Sequence, residues 1–214
     1  MKLIILSLAA TLLYSTQTFS QSRFGSVVEK YYRVNPFEGS FPAFVKSLSS
    51  DPELLDKTLI PKSDSSNYFL KGTYEVFNPF SINAEKVEML FAEHQQEIQE
   101  QNVSTLYTVY TYQILAYFDD TDLNRKMVLK DYNAIKKNLK KEMAVEIGSL
   151  KGFKNVEDGE ISNYYFSNSF ISPLTLSWQT LSQSKKLALT MITKLAVNRN
   201  YAIPGGTSIP SGPL

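Results

Sequence analysis

The chain has no cysteine. It therefore forms no disulfide, even where an oxidising compartment would permit one, and it offers neither a thiol nucleophile nor a thiolate metal site. The same absence removes the lipid-modified cysteine that would tether a bacterial envelope protein. Histidine occurs once, as His94. A multi-histidine zinc site is thereby excluded, and a Ser-His-Asp arrangement has only one candidate base. No apolar run approaches the roughly 20 residues a bilayer-spanning helix needs. Neither sign of charge is in excess, with 22 basic and 21 acidic side chains. That balance argues against a nucleic-acid binder or a polybasic membrane-surface protein. Also missing are G-x-S-x-G, S-x-x-K, H-E-x-x-H, the Walker loop and G-x-G-x-x-G, the spacings that seat common nucleophiles, metals and phosphates.

What is present begins with an export signal. Lys2 supplies a positive start, residues 3–13 an apolar stretch broken only by Ser7 and Thr11, and Thr18 and Ser20 the small residues three and one before Gln21. This pattern predicts a signal peptide over residues 1–20, cleaved near Ser20, and a secreted or periplasmic protein. Losing Lys2 leaves 21 basic side chains, one fewer than in the whole chain, against 21 acidic. Residues 21–203 are expected to form a single domain, large enough for a real core. Residues 204–214, rich in proline, glycine and serine, read as a loose tail.

Along the domain, residues 24–34 suit a short helix stopped at Asn35-Pro36. A second short helix is expected from Phe41 to about Ser49, capped by Ser40 with Pro42 in its first turn, and striped by Phe41, Phe44, Val45 and Leu48. Asp51-Pro52 breaks the chain, and residues 61–67 read as a turn-rich loop. Residues 68–77 follow as a strand. Residues 86–98 fit both periodicities; the strand reading is preferred because the next segment needs antiparallel neighbours. That next segment, residues 105–118, is the clearest strand. Leu106, Tyr110, Tyr112, Ile114 and Phe118 share one side, and Tyr107, Val109, Leu115 and Tyr117 the other. Both sides are partly apolar, which predicts a central strand covered on two faces or lining a cavity.

The clearest helix is expected over about 121–145, capped by Asp120 or Thr121 and ending near Gly148. Val128, Tyr132, Ile135, Leu139 and Met143 form its buried stripe, and lysines fill much of the remainder. Residues 152–159 read as a polar linker, and residues 160–170 and 174–178 as strand pieces. Residues 185–197 are ambiguous in period, with β-branched residues favouring a strand. Strands and helices are not in regular βαβ alternation. The expected fold is therefore α+β: an antiparallel, curved sheet of about five to six strands, with the long helix and the short N-terminal helices packed on it. The NTF2-like and cystatin-like architectures, which wrap a sheet round a cone-shaped cavity, suit this order by fold analogy alone.

Candidate chemistry is sparse. His94 lies among Glu93, Gln95, Gln96 and Glu97, the setting of a solvated polar residue, although its ordinary pKa suits acid–base work. Residues 120–124 (DTDLN) resemble the opening of a calcium loop, but Arg125 replaces the sharp-turn glycine and Asp131 the usual bidentate glutamate; helix capping accounts for the same residues. Glu75, Glu88, Glu93, Asp119 and Asp120 are candidates for a glycosidase-like carboxylate pair, which needs a separation of about 5–10 Å. Asn102-Val103-Ser104 matches a glycosylation acceptor without further support.

The unusual feature is tyrosine, with 13 Tyr and 13 Phe beside one Trp. Tyr107, Tyr110, Tyr112, Tyr117, Tyr164 and Tyr165 are the candidate ligand-binding residues. Each combines a rigid apolar body with a polar tip, a lining that small-molecule pockets use. The competing account is that aromatic residues in strands simply fill the core. The expectation is a non-catalytic binding or interaction domain for a small ligand or an envelope protein, with no cofactor, no metal and no nucleic acid. The alternative is an envelope glycan or peptide hydrolase using paired carboxylates.

Overall fold

The computed structural model describes residues 28–36, 40–64, 66–100, 103–141, 145–151, 158–165, 174–181 and 183–197. The expected signal segment and the tail from 204 lie outside them. Elements in chain order are a single 3-10 turn (Glu29–Tyr31), α1 (Phe41–Ser49), β1 (Leu55–Ile60), β2 (Phe69–Tyr74), β3 (Lys86–Glu100), β4 (Val103–Asp119), α2 (Asp122–Lys141), β5 (Val145–Lys151), β6 (Gly159–Tyr165), β7 (Leu174–Leu181) and β8 (Lys186–Val197). The strands form one sheet of eight in the order β1-β2-β3-β4-β8-β7-β6-β5, antiparallel throughout. It is open, because β1 and β5 are its two edges.

The class is as expected, but the strand count exceeds five to six. Leu55–Ile60 is a strand without a strand signal in the sequence: all six residues are exposed, so no alternation marks them. The long helix is shorter than 121–145, since β5 begins at Val145 and Gly148 lies inside that strand. Val145 and Ile147 are β-branched, a bias that favours extended backbone. Of the helix expected over 24–34, the described residues retain only the 3-10 turn, followed by extended backbone at Tyr32. Both ambiguous segments are strands, β3 and β8, and β4 is central between them.

Directly opposed residues in antiparallel strands share a face. The pairs Phe91↔Tyr112, Met89↔Ile114, Tyr112↔Thr193 and Ile114↔Met191 thus place one set of side chains together. This helix face carries the main core. Over β3 and β4, Phe41 of α1 stacks on Tyr110 at 4.5 Å and meets Tyr112 edge-on at 5.6 Å, while Phe44 meets Phe91 edge-on at 5.0 Å. α1 starts where Ser40 accepts a bond from the Ala43 N–H at 3.4 Å, with proline in the first turn. α2 starts similarly, with the Asn124 N–H donating to Thr121 Oγ1 at 3.2 Å, so Thr121 rather than Asp120 is the cap. α2 packs on β7 and β8 through Val128, Tyr132, Ile135 and Leu139, all buried. The Tyr132 hydroxyl lies 2.9 Å from Ser162 Oγ, and Lys136 donates to Glu160 at 2.7 Å.

Gly72 is required by close approach. A Cβ there would lie 2.5 Å from Leu54 Cγ and 2.6 Å from Cδ1, and Leu54 is itself buried. Gly72→Ala is expected to destabilise the domain by about 1–3 kcal/mol through overpacking. Combined with Leu54→Ala, it should cost less than the sum of the two single changes, because the two sites share one space. Urea unfolding of the four proteins measures this; strict additivity would refute the contact.

Candidate functional site

The second face of the sheet, away from the helices, carries the odd-numbered residues of β4. Register aligns three cross-strand rows on it. One runs Tyr117, Ala188, Gln179, Gly159; the next Leu115, Thr190, Ser177, Ile161; the third Gln113, Ile192, Thr175, Asn163. All twelve positions, spread over β4, β8, β7 and β6, are uncharged. Most are half-buried, and Ala188, Thr190 and Gly159 are buried. Four strands at about 4.8 Å spacing give a patch roughly 14 Å across. Hydroxyls and amides alternate with Leu115, Ile192 and Ile161, and the Thr175 hydroxyl donates to Asn163 Oδ1 at 2.8 Å.

Charge borders this patch on the β3 side. Glu88, opposite Leu115, accepts from Lys86 Nζ at 2.9 Å and from the Tyr117 hydroxyl at 3.3 Å, with Lys71 Nζ at 3.6 Å. Burial opposes ionisation of Glu88, yet the Lys86 and Lys71 ammoniums and the Tyr117 hydroxyl outweigh it and hold its pKa below the usual glutamate range. Lys86 also sits 4.9 Å from the centre of the Tyr117 ring. Burial, then the Glu88 charge, raises the Tyr117 pKa. Tyr117 is thus held by both its ring and its hydroxyl at the corner of an uncharged surface.

The six tyrosines named from sequence do not form one cluster. Tyr110, Tyr112 and Tyr164 are buried on the helix face, and Tyr107 and Tyr117 belong to the opposite face. Of Tyr165 only the backbone is described. Tyr107 and Tyr117 are ten residues apart on β4, about 33 Å along an extended strand, so they do not meet around one small ligand. On the helix face, burial and then the nearby Glu93 push Tyr110 up to about 12. Glu93 is buried there and pairs with Lys62.

The carboxylates named as acid–base candidates are each engaged elsewhere or exposed. Asp120 accepts from Arg125 Nε at 2.6 Å and Nη2 at 2.8 Å, a fork that keeps its pKa below the usual range. Asp119 pairs with Lys186 at 2.8 Å, Glu93 with Lys62, and Glu75 is exposed. The calcium-loop resemblance dissolves in the same geometry: Arg125 occupies Asp120, and Asp131 turns inward to the Ser81 and Ile82 N–H groups. Among the described residues no three acidic or histidine side chains gather as a metal site. His94 lies on the second face, where burial and then the Lys194 charge lower its pKa.

Sequence reasoning passes over Gln113, Thr175, Ser177, Thr190 and Ile192. Each is an unremarkable strand residue, and only the pairing of β4, β8, β7 and β6 assembles them. Comparison with protein families, with curated proteins and with solved structures finds no match for the chain.

Proposed function

We propose that this is an exported, non-catalytic binding domain whose ligand lies on the uncharged second face of the sheet, next to Tyr117. The observation that supports it most is the absence of charge from three adjacent cross-strand rows in a chain where one residue in five is charged. Depletion of charge at the centre with charged residues at the border matches one feature of recognition surfaces. Hydroxyls and amides interleaved with aliphatic side chains suit a neutral ligand, such as an uncharged peptide or glycan segment. Glu88, Glu93, Asp119 and Asp120 are paired with lysine or arginine and Glu75 is exposed, so no observation favours the hydrolase alternative.

The test is a thermal-shift panel of neutral oligosaccharides and uncharged peptides, with fatty acids and bile acids as anionic comparisons, against residues 21–214. A ligand that binds only the native state raises its apparent stability, by about 2.7 kcal/mol at a hundredfold excess over Kd. One class is expected to shift the wild type. Gln113→Glu, nearly isosteric, puts a charge at the centre of the patch and is expected to abolish that shift while changing intrinsic stability by no more than about 0.5 kcal/mol. A shift that survives both Gln113→Glu and Tyr117→Ala would move the ligand off this face.

A further inference from the structure

α2 carries a second surface that this reading does not use. Its only acids are Asp122, in the first turn, and Asp131, which is buried. Lys126, Lys130, Lys137 and Lys141 are all exposed, and their spacing of four, seven and four residues stacks them along one line. The buried stripe of Val128, Tyr132, Ile135 and Leu139 lies on the opposite side of the helix. At 1.5 Å per residue the row is about 22 Å long. Among the described residues none of the four makes an ion pair or side-chain hydrogen bond. By contrast Lys136, on the helix flank, is paired with Glu160. Among the described residues the row is a straight, unpaired line of positive charge, on a chain whose charges as a whole nearly balance at 22 basic and 21 acidic side chains.

We propose that this face of α2 binds a single chain of an acidic polysaccharide. The charge demands a polyanion, and the residues around the row select among polyanions. A single-stranded nucleic acid is gripped by aromatic side chains stacking on bases, and the exposed face of α2 has none. A bilayer surface favours apolar residues inserted beside the cations. The large exposed apolar residue of α2 is Leu123, three residues before Lys126 and in line with the row but at its N-terminal end; no other large exposed apolar side chain of α2 stands among the lysines. Beside the lysines stands Asn133, and on the flank of the helix Asn138, both exposed. Their amides donate and accept hydrogen bonds, as sugar hydroxyls require. Lysine rather than arginine fits flexible point-charge contact with carboxylates spaced along a chain, instead of a fixed bidentate fork.

Binding of polygalacturonate to residues 21–214, followed by fluorescence anisotropy or calorimetry over a salt series, tests this. Releasing counterions from four contacts gives a slope of log K against log salt of about −2.8, by analogy with single strands. Lys130→Gln with Lys137→Gln should weaken binding at least tenfold at low salt and reduce the slope by about 1.4. Lys46→Gln with Lys185→Gln removes the same net charge from exposed positions elsewhere and should change affinity less than about twofold. Equal melting temperatures for the two double variants separate lost contacts from lost fold. Absence of binding at low salt, or equal losses in both variants, would overturn the proposal. So would tighter binding, at matched charge concentration, to a DNA duplex or to phosphatidylglycerol–phosphatidylcholine vesicles. The helix face is remote from Gln113, so Gln113→Glu should leave polygalacturonate binding intact.

Discussion

Phe41→Ala is expected to lower the unfolding free energy by about 3–5 kcal/mol, the range for deleting a buried aromatic side chain. Phe41 is only 2% exposed and is the first residue of α1. Its ring stacks on Tyr110 and lies edge-on to Tyr112 and, at 6.3 Å, to Tyr68. Removal therefore opens a cavity between helix and sheet and forfeits aromatic pair geometry worth about 0.5–1.5 kcal/mol beyond area. Phe41→Leu, which keeps most of the volume, should recover more than half of the loss. Urea denaturation followed by circular dichroism measures both. A loss below about 1 kcal/mol for the alanine variant would mean that α1 is not seated on β4 as described. The result also bears on the tyrosines, since Tyr110 and Tyr112 contribute to the same cluster and act as core.

Asp131→Ala should be nearly as costly, by a different mechanism. Asp131 is buried on α2 and accepts from the Ser81 N–H at 2.9 Å, the Ile82 N–H at 3.3 Å and the Ser81 hydroxyl. Through these bonds the helix fastens the loop between β2 and β3. Within that loop Asn78 donates to the Ile82 carbonyl and accepts from the Phe80 N–H at 3.2 Å. Alanine leaves donors in a partly dry site without an acceptor, at an expected cost of about 2–4 kcal/mol. The substitution Asp131→Asn keeps one acceptor oxygen and should lose roughly half as much. Chemical denaturation gives the two values, and hydrogen exchange at Ser81 and Ile82 should rise in the alanine variant before global unfolding. Unchanged exchange there would show that the loop is held by other contacts.

Local signals in this chain are readable where one short segment contains the whole cause. Ser40 with Pro42 marks the start of α1, alternation over residues 105–118 marks β4, and the spacing of Val128, Tyr132, Ile135 and Leu139 marks α2. Signals fail where a partner supplies the cause. β1 is exposed along its length, so burial leaves no periodic imprint. The end of α2 is misread because Met143 continues the helical period while the β-branched residues just beyond begin a strand.

The candidate site divides in the same way. Composition alone determined that the chain has no thiol chemistry and no multi-histidine metal site, and it singled out tyrosine as the abundant aromatic on the central strand. The alternation of β4 also separated Tyr110 and Tyr112 from Tyr107 and Tyr117. Which set would be roofed by helices was a tertiary decision, because a strand with apolar residues on both sides gives no sign of where its neighbours' helices will pack. The uncharged face was likewise invisible in one dimension. Gln113, Ile192, Thr175 and Asn163 are neighbours only because β4, β8, β7 and β6 pair in that order, and hydrogen-bond register between distant segments is not encoded in any one of them.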